Sequence, residues 1–425
     1  MNIKVGAWGL AFAAFSALKM LAASGDGNFP ISYWWGPPES HNTLSTWQTV
    51  ADAGFTFAGP TRLYTTQENN LKMLDFCKQV GMAALVSDTA IRDRVVTQEG
   101  WKKALEHRVR GYRNHEALLG YYLADEPLAS YFGAMSEVQE AIVGLDPTHL
   151  IYAALMPIYA TPYQLQSVTY ERYVREYVNH MKPAVLSWDH YPFRRQSRNY
   201  FENLDVMINH AKIHGSRPWH IIEGVGWSGK PDPTEEQLRW QIYTSLAYGV
   251  KGILYFFYWP LEGKDWEGHG IVDKNGQPRS PYYTIKRMNG ELSRVGKHLL
   301  PLRSDGVYHV GALPGSAKPL PSGFLIEFPK PQELVVGYFE PESGPQFKYV
   351  MVANKYHDKA QTIIASVNEQ VTDVWAVDSH SGHFEPVLLK GRQFVLNLAA
   401  GEGRLLRIQD WRQEIAFESY TEPQL

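Results

Sequence analysis

The chain has 425 residues, 44% hydrophobic and 13% aromatic, with 41 Lys and Arg against 44 Asp and Glu, a formal net charge of -3 and a single cysteine, Cys77. That length accommodates one large domain and one small one. The near-neutral balance without a basic run excludes nucleic acid as the main partner, and one cysteine excludes an internal disulfide.

Met1 to Ser24 reads as a secretory signal: Lys4 near the start, an apolar run from Val5 to Leu18, then Ala22, Ala23 and Ser24 before Gly25. The run is too short for a span and Lys19 interrupts it, so a secreted or periplasmic protein without a stable membrane anchor is expected. No cysteine follows the run to carry a lipid, and a secreted chain without disulfides suits a bacterial periplasm or medium.

Segments rich in strand formers then alternate with segments of helical period, the pattern of parallel strands in an α/β fold. The strands expected are Ile31 to Trp35, Phe55 to Gly59, Met82 to Ser87, Ala117 to Leu123, Leu150 to Leu155, Ala184 to Trp188, His220 to Ile222 and Gly252 to Trp259. Between them the spacing predicts helices at Leu44 to Ala53, Asn70 to Val80, Trp101 to Asn114, Ser130 to Gly144, Tyr170 to His180, Tyr200 to His214 and, as an amphipathic one, Thr234 to Tyr248. Eight such units fit a (β/α)8 TIM barrel, with a doubly wound open sheet as the alternative. From Gly306 onward short strand candidates between Pro-rich and Gly-rich turns indicate a small antiparallel β-sandwich. The organisation expected is a signal at 1–24, a barrel at 25–303, a β-sandwich domain at 304–410 and a tail at 411–425.

In a parallel barrel the strand C-termini build the site. The fourth strand runs into Asp125 and Glu126 before Pro127, and the seventh into Glu223. One of the first two acids can instead cap a helix opened by Pro127, which leaves the other unexplained. The structural alternative for Glu223 is an ordinary rim acid paired with an Arg or Lys. Two carboxyls converging over one mouth are the minimum apparatus of glycoside hydrolysis, one protonating the leaving oxygen and the other attacking the anomeric carbon or activating water. The 13 Trp and 25 Tyr residues supply flat faces suited to sugars.

These features resemble the clan A retaining glycoside hydrolases of the 4/7 superfamily, in the form that carries a C-terminal β-sandwich. The resemblance rests on Glu126, on Ile221-Ile222-Glu223-Gly224, on the run Ala247 to Ile253 and on Trp259. It implies Glu126 as acid/base, Glu223 as nucleophile, and Trp259 as the floor of the subsite for the reacting sugar. By the same resemblance Arg62, after the second strand, orients Glu223. The superfamily usually has Asn before the acid/base; here Asp125 stands there, which keeps an acceptor but loses a donor. An adjacent Asp-Glu pair also resembles the substrate-assisted β-N-acetylhexosaminidases, in which Glu223 would have no nucleophilic task.

Other candidates come from strand-end position alone: Trp34 or Trp35 for stacking, Asp88, Asp189, His190 and Tyr191 for hydroxyls or for holding the nucleophile ionised, and Trp227 and Trp266 as cleft walls. Three motifs are set aside. Gly224 to Gly229 fits a dinucleotide fingerprint, but Lys230-Pro231-Asp232-Pro233 follows where a helix must begin. His210 and His214 share a helical face at metal-ligand spacing, but no Glu lies between them and a helix surface explains them, and Ser228 lacks nucleophile-elbow spacing. The expectation is therefore a secreted enzyme on an oligo- or polysaccharide, without metal or cofactor, the rival being a non-catalytic carbohydrate-binding barrel. Sugar identity, linkage, exo or endo action and oligomeric state carry no sequence signal.

Overall fold

The computed structural model describes residues 27–61, 64–195, 199–261, 263, 269–342 and 347–410. The expected signal, the tail, Arg62 and Trp266 lie outside them. Two compact units emerge: one runs up to Pro233 and resumes over Gly252–Asn289, and the other joins Thr234–Lys251 to the chain from Gly290 onward.

The first unit is a (β/α)8 barrel. Its strands are β1 (Ile31–Trp34), β2 (Phe57–Ala58), β3 (Ala83–Val86), β4 (Leu118–Asp125), β5 (Leu150–Leu155), β6 (Val185–Asp189), β7 (Arg217–Glu223) and β8 (Gly252–Phe256). They pair in parallel in the order β1-β8-β7-β6-β5-β4-β3-β2, with sequence neighbours adjacent all round, which excludes the doubly wound alternative. At the seam between β1 and β2 the work is done by single bonds: Thr56 N donates to Ile31 O (2.8 Å), Ile31 N to Thr56 Oγ1 (2.9 Å) and Ser32 Oγ to Phe57 O (2.8 Å).

Aromatic side chains fill the interior, with Phe57 and Tyr152 packed 5.2 and 5.9 Å from the Trp219 ring and Tyr122 5.8 Å from Tyr152. Such bulk needs small partners. A Cβ at Gly252 would stand 2.6 Å from the Trp219 ring, and one at Gly120 would meet the Leu150 carbonyl at 2.1 Å.

Three expectations about elements are corrected. Strand β8 stops at Phe256 rather than Trp259, with the chain turning away at a cis Phe256–Phe257 peptide. No helix opens at Pro127: a short 3-10 turn at Ala129–Tyr131 precedes the helix Phe132–Leu145, so neither Asp125 nor Glu126 is a helix cap. The helix Glu235–Tyr248 is not amphipathic, because from Leu238 onward every residue but Arg239 is buried. A twenty-residue helix, Ser280–Leu299, follows the barrel and was not anticipated.

The second unit holds that helix Glu235–Tyr248 and an antiparallel sandwich. Its six-stranded sheet has the order β15-β14-β17-β12-β11-β9, formed by β9 (Leu302–Val310), β11 (Leu334–Pro341), β12 (Lys348–Asn354), β14 (Val371–Val377), β15 (Phe384–Pro386) and β17 (Gly403–Asp410). The three-stranded sheet is β10-β13-β16, from β10 (Ile326–Glu327), β13 (Gln361–Val367) and β16 (Gln393–Leu398). Inward residues such as Val336, Val350, Ile363, Phe394 and Leu406 form one buried cluster between them. The helix lies against the six-stranded sheet, with Trp240 Nε1 donating to Lys355 O (2.9 Å) and Tyr248 OH bonded to His309 Nε2 (2.9 Å). No helix among the described residues is long and apolar enough to cross a membrane.

Candidate active site

Because the barrel strands are parallel and in near-matching register, their last residues gather at one end: Trp34, Asp125, Asp189, Glu223 and Phe256. Along β7 the inward alternation carries Trp219, Ile221 and Glu223 to the same face. A cleft of about 520 Å³ opens there, lined by Trp34, Asp125, Glu126, Tyr159, Asp189, Tyr191, Ile221, Trp227 and Phe256, with Met156, Thr161, Gln164 and Leu261 along its sides.

Asp125 is held by the Trp34 indole, whose Nε1 donates to Oδ1 at 3.0 Å and lies 3.1 Å from the Tyr122 hydroxyl. Burial, and then the charge of Glu126, push the Asp125 carboxyl up to about 8, against the pull of those two donors. Glu126 follows with φ +43°, a left-handed backbone that a non-glycine residue adopts only at a cost, and its side chain is exposed. Its amide is anchored to Ala154 O at 2.8 Å. Asp189 is buried; burial and then the neighbouring charges of Glu126 and Asp125 raise its pKa well above the usual carboxylate range.

Glu223 is buried, and its Oε2 accepts from the amides of Phe193 and Arg194, each at 3.0 Å, at the short helix Pro192–Arg195. Burial pushes its carboxyl up to about 7, against those two amides and the Arg194 charge. Glu223 is not among the described residues lining the cleft.

The remaining candidates divide in two. Tyr191 and Trp227 share the cleft wall, their rings 5.2 Å apart and both packed on Phe256 at 4.8 Å. Trp35 has φ +68° and stacks on Trp34 at 5.2 Å, so that Trp34 rather than Trp35 lines the cleft. Trp259 packs on His41 (4.6 Å) and also lies off the lining. Asp88 is fully buried, accepting from Tyr112 OH (2.5 Å) and the Ala90 amide (2.9 Å) with the Arg108 guanidinium 3.4 Å away. His190 is buried behind the site, its Nδ1 2.7 Å from Asn203 Oδ1, and burial pushes its pKa down to about 4, leaving it neutral. Elsewhere, His210 bonds Glu171 at 2.8 Å. Among the described residues no group of three His, Cys, Asp or Glu is placed to hold a metal ion.

No protein-family profile matches the sequence, and no curated protein sequence does. Solved structures match at the level of the backbone. The cold-adapted β-galactosidase of Rahnella sp. R3 superposes with TM-score 0.59 and 8% identity over 91% of this chain and 99% of that one. A glycoside hydrolase family 5 protein from Bacteroides vulgatus ATCC 8482 does so with TM-score 0.56 and 10% identity over 90% and 89%. A β-galactosidase from the psychrophilic Marinomonas ef1 matches over 64% of this chain and 62% of its own length, with TM-score 0.50 and 9% identity. At such identities the likeness is one of fold alone, and the chemistry has to be argued from the residues.

Sequence reasoning missed Tyr122 beside the Trp34 indole, Tyr159 and Phe256 as cleft walls, and the meeting of Glu126 and Asp189 on one cleft. The apolar end of β8 was the available signal for Phe256. Nothing local announces that the ends of β4 and β6 meet.

Proposed function

We propose that the chain is a secreted glycoside hydrolase that cleaves β-linked glycans with retention, Glu126 serving as acid/base and Glu223 as nucleophile. The observation that carries this is the pair of carboxyls just past β4 and at the end of β7, one exposed in the aromatic-walled cleft and the other buried with Oε2 fixed by two amides. In this reading the Glu223 carboxylate attacks the anomeric carbon, while Glu126 protonates the departing oxygen and later takes a proton from the incoming water. Trp34, Tyr191 and Trp227 offer rings to a sugar face. Both chemical steps use side chains alone, so the reading requires no cofactor.

A second reading is substrate-assisted hydrolysis of N-acetylhexosaminides by Asp125 and Glu126. It is favoured by the fact that these two line the cleft together and Glu223 does not. A panel of aryl β-glycosides that includes N-acetylhexosaminides, followed by treatment with a 2-deoxy-2-fluoro glycoside, separates the possibilities. Label on Glu223 supports the first reading. Cleavage confined to N-acetylated sugars, with no trapped ester and loss of activity in Asp125→Ala, supports the second. Binding of glycans with no turnover of any of them would leave a carbohydrate-binding barrel.

A further inference from the structure

We propose that the outer face of the six-stranded sheet carries a glycan-binding site, built around Arg407, for a sugar unit that bears a carboxylate. The ladder sets Arg407 of β17 between Trp375 of β14 and Tyr349 of β12. Their chain neighbours Leu406, Ile408, Val374 and Val350 belong to the sandwich core, so by alternation these three side chains stand on the opposite face. The Arg407 guanidinium lies over three rings, 4.5 Å from the centroid of Trp375, 4.7 Å from Phe384 and 4.9 Å from Phe347. Phe384 continues the patch to Tyr349, 6.2 Å away, and to His298, 4.8 Å away.

Two features set this patch apart from ordinary packing. Further along the same strands the outward Met351 and Leu405 are buried, whereas Arg407 and its four rings are only half-buried. Arg407 also lacks an acid: its side chain makes no hydrogen bond or ion pair among the described residues, and its Nε is shielded without a partner. Asp373, exposed two residues before Trp375 on β14, forms no ion pair with it. Lys297, exposed on the helix Ser280–Leu299, adds a second cation; after burial, its charge and those of Arg407 and His383 hold the His298 pKa down. A guanidinium stacked on rings is pre-ordered, and its planar fork of donors matches the two oxygens of a carboxylate. Trp375 and Phe384 beside it offer apolar faces to the C–H side of a pyranose. A uronate carries both groups on one ring, while an acidic peptide brings the carboxylate without the flat face. The site lies wholly in the second unit and uses none of the barrel acids, so it stands or falls apart from the reading of Glu126 and Glu223.

The test is calorimetric titration of the full protein with a galacturonate tetrasaccharide, with its methyl ester and with a glutamate tetrapeptide. The galacturonate should bind, more weakly as salt is raised, and its affinity should drop about tenfold or more for the ester and in Arg407→Gln. Trp375→Ala should weaken it too, and Arg407→Lys, which keeps the charge but not the fork, should not restore it in full. If Arg407→Gln does not fold, the wild-type preference for acid over ester, with a shift of the Trp375 indole resonance on adding the galacturonate, gives the same answer. No binding, equal affinity for acid and ester, a peptide bound as tightly as the sugar, or unchanged affinity in Arg407→Gln overturns the proposal. Galacturonate bound by the wild type and lost in Arg407→Gln upholds the site even in a protein that cleaves no glycoside, and in that case only the hydrolase reading is retired.

Discussion

Glu223 and Asp125 both ionise against burial, and that has a measurable sign. An acid whose folded pKa lies above its unfolded value costs the native state stability as pH rises, from about the unfolded value of 4.5 upward and in full beyond about 7 for Glu223. Glu223→Gln keeps an oxygen for the Phe193 and Arg194 amides but cannot ionise. Its melting temperature should match the wild type near pH 4 and exceed it at pH 8, by at most about 3 kcal/mol of stability. Equal melting temperatures at both pH values would contradict the burial argument. For Asp125 the lever is Trp34, whose indole lowers the carboxyl. Trp34→Phe should therefore move the Asp125 midpoint above about 8, read by carbon-13 NMR. At this scale each strand-end acid was legible, because a strand that runs into Asp or Glu is a local pattern. The meeting of Glu126 and Asp189 on one cleft was not, since it depends on two strand ends brought together by a closed sheet.

The strand elements were read well where apolar runs are bounded by turn residues, as at Leu150–Leu155, and poorly where aromatics continue past the last ladder bond, as at Phe257 to Trp259. Helix Glu235–Tyr248 shows why amphipathic reasoning failed: Gln241, Thr244 and Ser245 look like a solvent face but are buried, and the Thr244 and Ser245 hydroxyls return hydrogen bonds to their own helix at 2.6 Å. Its start is a reciprocal cap, with Gln237 N donating to Thr234 Oγ1 (3.3 Å) and Thr234 N to Gln237 Oε1 (3.0 Å). Thr234→Ala should cost about 1 kcal/mol, seen as a lower urea midpoint with unchanged slope. A midpoint identical to the wild type would mean the cap is dispensable.

For the molecule as a whole, the division of the chain matters more than its order of elements suggests. Thr234–Lys251 lies between β7 and β8 in sequence yet belongs to the compact unit of the C-terminal strands. Its Trp240 and Tyr248 are satisfied by Lys355 and His309, and a Cβ at Gly337 would strike Ala247 O at 2.0 Å. A protein cut after residue 303 should consequently be insoluble or bind hydrophobic dye strongly, because that helix loses the sheet it packs on. A soluble, cooperatively melting product of that cut would disprove this. The same interleaving sets a timetable on the ribosome. The helix leaves the exit tunnel long before β17, at Gly403–Asp410, is synthesised. At typical elongation speeds its buried face waits roughly ten to thirty seconds for the last strand of its sheet. Over that interval a nascent chain carries Trp240 and Tyr243 without the backbone at Gly401 and Gly403 that closes on them. That makes this stretch the place where a chaperone would be expected to hold the growing chain.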